Sequence, residues 1–259
     1  DSLYINYSVA FASYTESTIY CASGKEHIVV SGTNITMTFQ NVILNASIDD
    51  TVRLGGGIYS TANSLLIENG YIIQGSTAIY ATGDLTIDGG TYGHGSRGIY
   101  CTGTFTLEDG TIEGNFLTGY GAGIYSTGTV TINGGNVVNN RAYGNIPCYG
   151  AGIYVSRGTL NINGGTISDN TVYGNGGGIC LNNSTLNMRA GTISDNSALY
   201  YFYNNGGGIY AANSTLNIYG GTISGNQAGN GGGIYAASCV LNIIGGTINS
   251  NTPNNIYIN

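Results

Sequence analysis

Acidic residues are the first candidates for chemistry, and they are few. Of 259 residues, 13 are Asp or Glu and 2 are His. Glycoside hydrolysis needs two carboxylates facing each other across the scissile bond. Asp88 and Asp109 stand at roughly equivalent places in successive stretches of the chain and could supply such a pair by stacking. No acid/base constellation accompanies them. Asp49-Asp50 stands apart, while Asp84, Glu108 and Glu113 lie near turns, where acids commonly bond local backbone. His27 and His94 do not compose a metal site. The expectation is a non-enzymatic protein with no cofactor and no bound metal.

Aromatic residues offer a second kind of chemistry, recognition by flat faces. Tyr59, Tyr80, Tyr100, Tyr125, Tyr154, Tyr210 and Tyr235 each follow an Ile in a short Gly-Ile-Tyr-like signature, and Cys180 takes the same place once. If the Ile points inward, these rings point outward and stack in a row. Such a row can simply stabilise a sheet, or it can receive sugar rings or another subunit, because Tyr joins an apolar face to a polar tip. Further aromatics crowd the segments between repeats: Phe116, Tyr120, Tyr143, Tyr149, Tyr173 and the run Tyr200, Tyr201, Phe202, Tyr203. Aromatics in loops are costly to leave in water, so Tyr143, Tyr149, Tyr173 and residues 200–203 are read as an interaction edge, the alternative being that they fold down over the neighbouring Tyr row. The five cysteines do not form a framework. A Cys148–Cys180 bridge requires the loop before Gly150 to fold back; the other reading is five free or partly buried thiols.

The elements that must position these residues follow from periodicity. The signature Ile recurs at 58, 79, 99, 124, 153, 179, 209 and 234, a spacing in the range of solenoid repeats. Within each repeat three short β-branched runs alternate with Gly, Asn or Asp, as in Ile153-Tyr154-Val155, Leu160-Asn161-Ile162 and Thr166-Ile167-Ser168, a strand pattern rather than a helical one. Stacked in register, these runs predict an all-β fold: a right-handed parallel β-helix with three strands per coil and about ten coils. Residues 1–54 read as an N-terminal strand and opening coils, 55–251 as the regular array and 252–259 as a strand-like tail, all one domain.

Two more rows repeat with the coils. Asn115, Asn140, Asn170, Asn196, Asn226 and Asn251 each follow a third-strand apolar residue by three positions, and are read as an outward, architectural ladder at a strand corner. Thr91, Thr111, Thr166, Thr192, Thr222 and Thr247 start the third strands, with Ser168, Ser194 and Ser224 two residues on. That grid resembles the Thr-x-Thr faces of β-helical ice-binding proteins, although Glu113 and Val138 break it.

Composition limits the partners. Net charge is −7 and charged residues make up 7% of the chain, a poor match for nucleic acid or an anionic membrane surface. No run is long and apolar enough to span a bilayer as a helix, so no membrane insertion is expected. Asp1 at the start reads as a mature secreted form. Sequons at Asn6, Asn34, Asn45, Asn182, Asn183 and Asn213 are candidate N-glycan sites.

The segment from Leu3 through Ile5, Tyr7 and Val9 to Phe11 alternates like a strand burying one face. Together with Ile256 and Ile258 it is the candidate subunit contact, either covering its own first coil or completing another subunit's edge by β-augmentation. Gly-Gly-Gly-Ile-Tyr with Gly-Gly-Thr-Ile-Ser-x-Asn resembles the repeats of bacterial right-handed β-helix surface proteins. It is similar to those of chlamydial polymorphic outer-membrane proteins, through Gly150-Ala151-Gly152-Ile153 and Ile167-Ser168-Asp169-Asn170. Gly93-His94-Gly95 resembles the Gly-His-Gly of polygalacturonases, whose paired Asp cluster and Arg-Ile-Lys are absent here. The surface-protein resemblance implies an extracellular or cell-surface adhesin-like role. The expectation is a secreted structural protein, a filament subunit whose partner is itself, with a monomeric adhesin or carbohydrate-binding solenoid as the alternative. A polysaccharide lyase or hydrolase and an ice-binding protein are the remaining readings.

Overall fold

The computed structural model describes residues 3–20, 28–45, 57–73, 75–143, 148–198 and 204–259, with side chains omitted at 11–20, 39–43, 45, 73 and 148. It is the expected parallel β-helix. One face is an 11-stranded parallel sheet running from Leu3–Ile5 through Ile28–Val30 and the eight signature strands to Ile256–Ile258. The opening segment and the tail are thus rungs of the same sheet as the regular array.

The other two faces belong to one 15-stranded sheet. In the early coils each strand crosses both faces, as in Ser64–Ile73, Asp84–Gly93 and Thr104–Glu113. From Thr129–Ile132 onward the crossing breaks at a Gly-rich corner into two short strands, for example Thr159–Ile162 and Thr166–Ser168. Among the described residues, a short row absent from the three-strand scheme appears beside these faces: Phe116–Leu117, Arg141–Ala142, Thr171–Val172 and Ser197–Ala198 pair as a four-stranded sheet. Where the insertions before the Gly-rich signature are described, their first residues are therefore ordered rungs. They cover a thin second core of Ala122, Ala142, Ala151, Val172 and Ala198.

Register is what stacks identical residues. Ile99, Ile124, Ile153, Ile179, Ile209 and Ile234 pair rung to rung on the first face. Leu160, Leu186 and Leu216 do so on the second, and Ile167, Ile193 and Ile223 on the third. All are buried in one continuous core.

The Asn row departs from expectation, because it points inward. Asn140, Asn170, Asn196 and Asn226 are fully buried. The preceding residue, Asn139, Asp169, Asp195 or Gly225, adopts positive φ, and that left-handed step turns the next side chain under the corner. Each amide nitrogen donates to the Oδ1 of the Asn one coil on, from Asn115 through Asn140, Asn170, Asn196 and Asn226 to Asn251, at 2.9–3.0 Å. Each Oδ1 also accepts the backbone N–H of the previous Asn. The ladder explains the signature glycines as well. A Cβ at Gly152, Gly178 or Gly208 would lie 3.0 Å from the amide of Asn170, Asn196 or Asn226 and 2.5–2.7 Å from a carbonyl of the next coil.

The expected strand from Leu3 to Phe11 is two elements. Leu3–Ile5 pairs Ile28–Val30 on the first face, and Val9–Tyr20 pairs Ile35–Asn45 on the others, with a corner at 6–8 between them. Ile5 is buried whereas Leu3 and Tyr7 are exposed, so the alternation runs through a turn rather than along one strand. Leu3–Ile5 is the first rung of this chain's own solenoid. No helix among the described residues is long and apolar enough to cross a membrane.

Candidate functional site

Parallel in-register pairing places each signature Tyr directly over the next. The rings stack from Tyr59 through Tyr80, Tyr100 and Tyr125 to Tyr154 with centroids 4.6–5.4 Å apart. A second run, Tyr210, Tyr235 and Tyr257, stacks at 5.5 and 5.2 Å. In register the row also includes Tyr4 at one end, and it is interrupted by Val29 and by Cys180. Arg97 clasps the longer run: its guanidinium lies 5.5 and 5.3 Å from the Tyr100 and Tyr125 centroids. The same group donates to the Gly121 and Tyr120 carbonyls at 3.0 and 2.9 Å.

The loop aromatics form rows of their own beside this ladder. Tyr120 and Tyr149 pair across adjacent coils, with rings stacked at 5.5 Å. Phe116, Tyr143 and Tyr173 form a third, less regular line at 4.0 and 6.3 Å. Phe116, Tyr120 and Tyr173 remain exposed. Residues 200–203, predicted to join this edge, lie outside the described residues.

At Cys180 the rows meet. Five residues before each ladder position stand Tyr120, Tyr149, Asn175, Asn205 and Asn230, so the flanking row changes from Tyr to Asn at the same rung where the ladder loses its ring. Tyr120 leans towards Tyr154, at 5.0 Å, and Tyr149 leans across the empty rung towards Tyr210, at 6.1 Å with a 36° tilt. The result is a cavity of about 200 Å3 lined by Tyr120, Tyr149, Tyr154, Cys180, Asn182 and Tyr210. No lining group carries a formal charge at neutral pH. Burial pushes the Tyr210 phenol up to about 12, helped by its neighbours Cys180, Tyr149 and Tyr235. Burial also raises the Tyr154 phenol against an opposing hydrogen bond from Asn182, and it holds the Cys180 thiol well above its usual range.

Cys180 is a free, buried thiol, so of the two readings the Cys148–Cys180 bridge is not formed in this structure; the Cys148 side chain lies outside those described. The outward position on the first face faces the Tyr cavity, while the chain at Cys148–Tyr149 pairs Gly174–Asn175. Cys101 is buried in the core, its thiol pushed up to about 11 by desolvation. Cys239 takes the corner place of Ser184 and Ser214: its thiol donates to the Ala237 carbonyl and it accepts the Ser214 N–H.

Asp88 and Asp109 are register partners on neighbouring strands, as expected, and both are exposed. Asp109 accepts the Gly110 N–H at 2.7 Å, a turn bond. His94 sits in a left-handed turn and pairs with Glu113 at 3.4 Å on the surface. Among the described residues no three His, Cys, Asp or Glu side chains converge. Of the sequons, Asn34, Asn183 and Asn213 occupy one left-handed corner and are exposed, and Asn6 is exposed. Asn182 is half-buried beside the cavity; the Asn45 side chain, like that of Phe11, lies outside those described.

The last coil departs from the repeat. On the second face its strand reads Val240-Leu241-Asn242-Ile243, followed by Ile244. Val240 and Ile244 stand outward where the previous coil has Thr215 and Tyr219, and they are 57% and 71% exposed. Inward-facing Ile243 is 45% exposed, against 1% for Ile218 beneath it. Ile256–Ile258 covers only the first face.

Comparison of the chain with protein-family models, curated proteins and solved structures finds no match.

Proposed function

We propose that the protein is a non-catalytic, extracellular structural solenoid that assembles end to end into a filament. The observation that carries this reading is the second face of the last coil, where two outward positions, Val240 and Ile244, are apolar on either side of Asn242. Ordinary exposure of a terminal rung accounts for Ile243, but it does not account for Val240 and Ile244 replacing Thr and Tyr. A strand edge with Val240 and Ile244 outward and Ile243 inward is suited to being covered by another strand.

The other end has a matching element. Val9–Tyr20 is a single 12-residue strand spanning both remaining faces. Laid along Val240–Ile243 and Thr247–Asn249 of a second copy, it would continue the parallel sheet and bury Ile243 and Ile248. Its own Leu3–Ile5 would then need the rung that Ile256–Ile258 holds, and the two share the pattern apolar, Tyr, Ile. In this joint Leu3-Tyr4-Ile5 replaces Ile256-Tyr257-Ile258, and the tyrosine ladder runs from Tyr235 to the next copy's Tyr4. A head-to-tail contact of this kind does not close on itself and gives an open filament. The resemblance to bacterial β-helix surface repeats supports placing such a filament outside the cell.

Electron microscopy and sedimentation test it. Wild-type protein is expected to form rods whose length grows with concentration. Removal of residues 253–259, which frees the contested rung, lengthens them, and Ile243→Lys with Ile244→Lys abolishes them. Monodisperse monomer at every concentration, in both the wild type and the 253–259 deletion, overturns the reading.

A further inference from the structure

The cavity over Cys180 has the width of one missing ring. Tyr154 and Tyr210 occupy the rungs on either side, so strand spacing sets their rings about 10 Å apart. A single ring placed midway would lie about 5 Å from each, close to the 4.6–5.5 Å spacing of the ladder itself. Tyr149 closes one side, and Asn182 stands at the rim.

We propose that this cavity binds one neutral hexopyranose ring, sandwiched between Tyr154 and Tyr210. A pyranose with mainly equatorial hydroxyls has two C–H faces and a polar edge. The site offers the complement: two aromatic faces as walls, with the Asn182 amide and the Tyr hydroxyls providing donors and acceptors around them. Asn182 already bonds the Tyr154 hydroxyl and accepts from Asn183; a bare hydrocarbon ring would match the walls but leave the remaining hydrogen-bonding capacity of the Asn182 amide and the Tyr hydroxyls unused. Charge argues the same way, since none of the lining groups is ionised at neutral pH, and a charged sugar or a nucleotide would find no counter-ion. At about 200 Å3 the cavity is below the range typical for drug-sized ligands, which fits one ring of a longer glycan rather than several. The site lies on the side of the solenoid, coils away from the last rung, so it goes beyond the assembly reading and stands or falls without it.

The test uses the full chain and neutral methyl glycosides of glucose, galactose, mannose and N-acetylglucosamine, with short neutral oligomers of each. Binding is read by saturation-transfer NMR and by titration of tyrosine fluorescence. At least one glycoside is expected to bind saturably, with its ring C–H protons shifted upfield between the two tyrosines. Cys180→Tyr completes the ladder and is expected to abolish binding, Cys180→Ser leaves the slot open and retains it, and Tyr210→Ala weakens it about tenfold. The wild-type ring-current shifts need no variant, so a Cys180→Tyr protein that fails to fold leaves the assignment testable. Three results overturn it: no saturable binding by any glycoside, binding that survives a folded Cys180→Tyr, or binding of p-cresol in the slot with none of the sugars. None of the three bears on end-to-end assembly.

Discussion

Replacing Asn170 by Ala probes the buried ladder at its centre. Its Nδ2 donates to the Val137 carbonyl at 2.8 Å and to Asn196 Oδ1 at 2.9 Å, and its Oδ1 accepts both the backbone N–H and the Nδ2 of Asn140 at 3.0 Å. All four groups are out of water, so truncation leaves two donors on Asn140 without their acceptor. Each buried, unsatisfied donor costs about 1–3 kcal/mol, which puts Asn170→Ala at about 4 kcal/mol. The control is Asn187, in a second Asn ladder on the half-exposed second face. It donates to Asn161 Oδ1 at 3.0 Å and accepts from Asn217 at 2.9 Å. Water can replace those bonds, so Asn187→Ala should cost about 0.5–1 kcal/mol. Guanidinium unfolding followed by circular dichroism measures both, with hydrogen exchange at the Asn140 amide to detect local opening of the stack. Equal costs, within about 0.5 kcal/mol, would refute the claim that burial gives the inner ladder its weight. Asn170→Asp adds a pH signature. The buried carboxyl would face the Val137 carbonyl and Asn196 Oδ1, which raises its pKa above the unfolded value. Its stability should therefore be greatest in acid and fall as pH rises through the folded pKa.

Other perturbations follow from the same contacts. Gly178→Ala puts a Cβ 2.7 Å from the Gly208 carbonyl and 3.0 Å from the Asn196 amide, and should cost about 1–3 kcal/mol in thermal or chemical unfolding. Arg97→Ala removes two hydrogen bonds and two cation–π contacts, an expected loss of about 2–3 kcal/mol, of which Arg97→Lys should recover only part. The Tyr210 phenol is raised by burial to about 12, so the stability it contributes is fully present below the unfolded value near 10 and is lost as pH rises from there to about 12. An alkaline ultraviolet titration should find one phenol fewer in the late-titrating class for Tyr210→Phe.

Much of this architecture can be read from spacing, and what cannot has identifiable physical reasons. The Ile, Leu and Thr-Ile runs recur with their own turn residues, so strand identity, parallel stacking and the core rows follow from period alone. The gap at Cys180 is equally legible, because one residue type breaks a row of tyrosines. The inward turn of the Asn row is hidden because a left-handed residue, glycine or not, precedes each of these side chains. Asp169 and Asp195, with φ of 57° and 56°, look like ordinary polar corner residues, yet each reverses the side to which the following Asn points. The corner at 6–8 is hidden for a different reason: Ile5 and Val9 keep the parity of a continuous strand across it. The lean of Tyr149 over the empty rung has no sequence signal, because it depends on what the coil above lacks.

The two halves of the repeat are one contact, and this explains why they travel together. Gly-Ile-Tyr and Ile-Ser-x-Asn sit 18 residues apart within a coil, in Gly152 and Asn170 for example, and the glycine is there because the amide lies against its Cα. The coil of Ile79 supplies an internal check. Its glycine position holds Ala78, and its Asn position holds Gly95, so the larger residue appears where the amide is missing. Parallel rungs of near-identical sequence would otherwise pair in more than one register, and a slipped coil would leave buried amides without partners. The ladder therefore specifies register, which leaves the outward Tyr row less constrained. Tyr is accommodated at that position on the rungs directly above and below Cys180. Stacking favours it there by about 0.5–1.5 kcal/mol per ring pair. A Cys at 180 thus forgoes stabilisation that the fold can accept, and what the substitution creates in return is the cavity between Tyr154 and Tyr210.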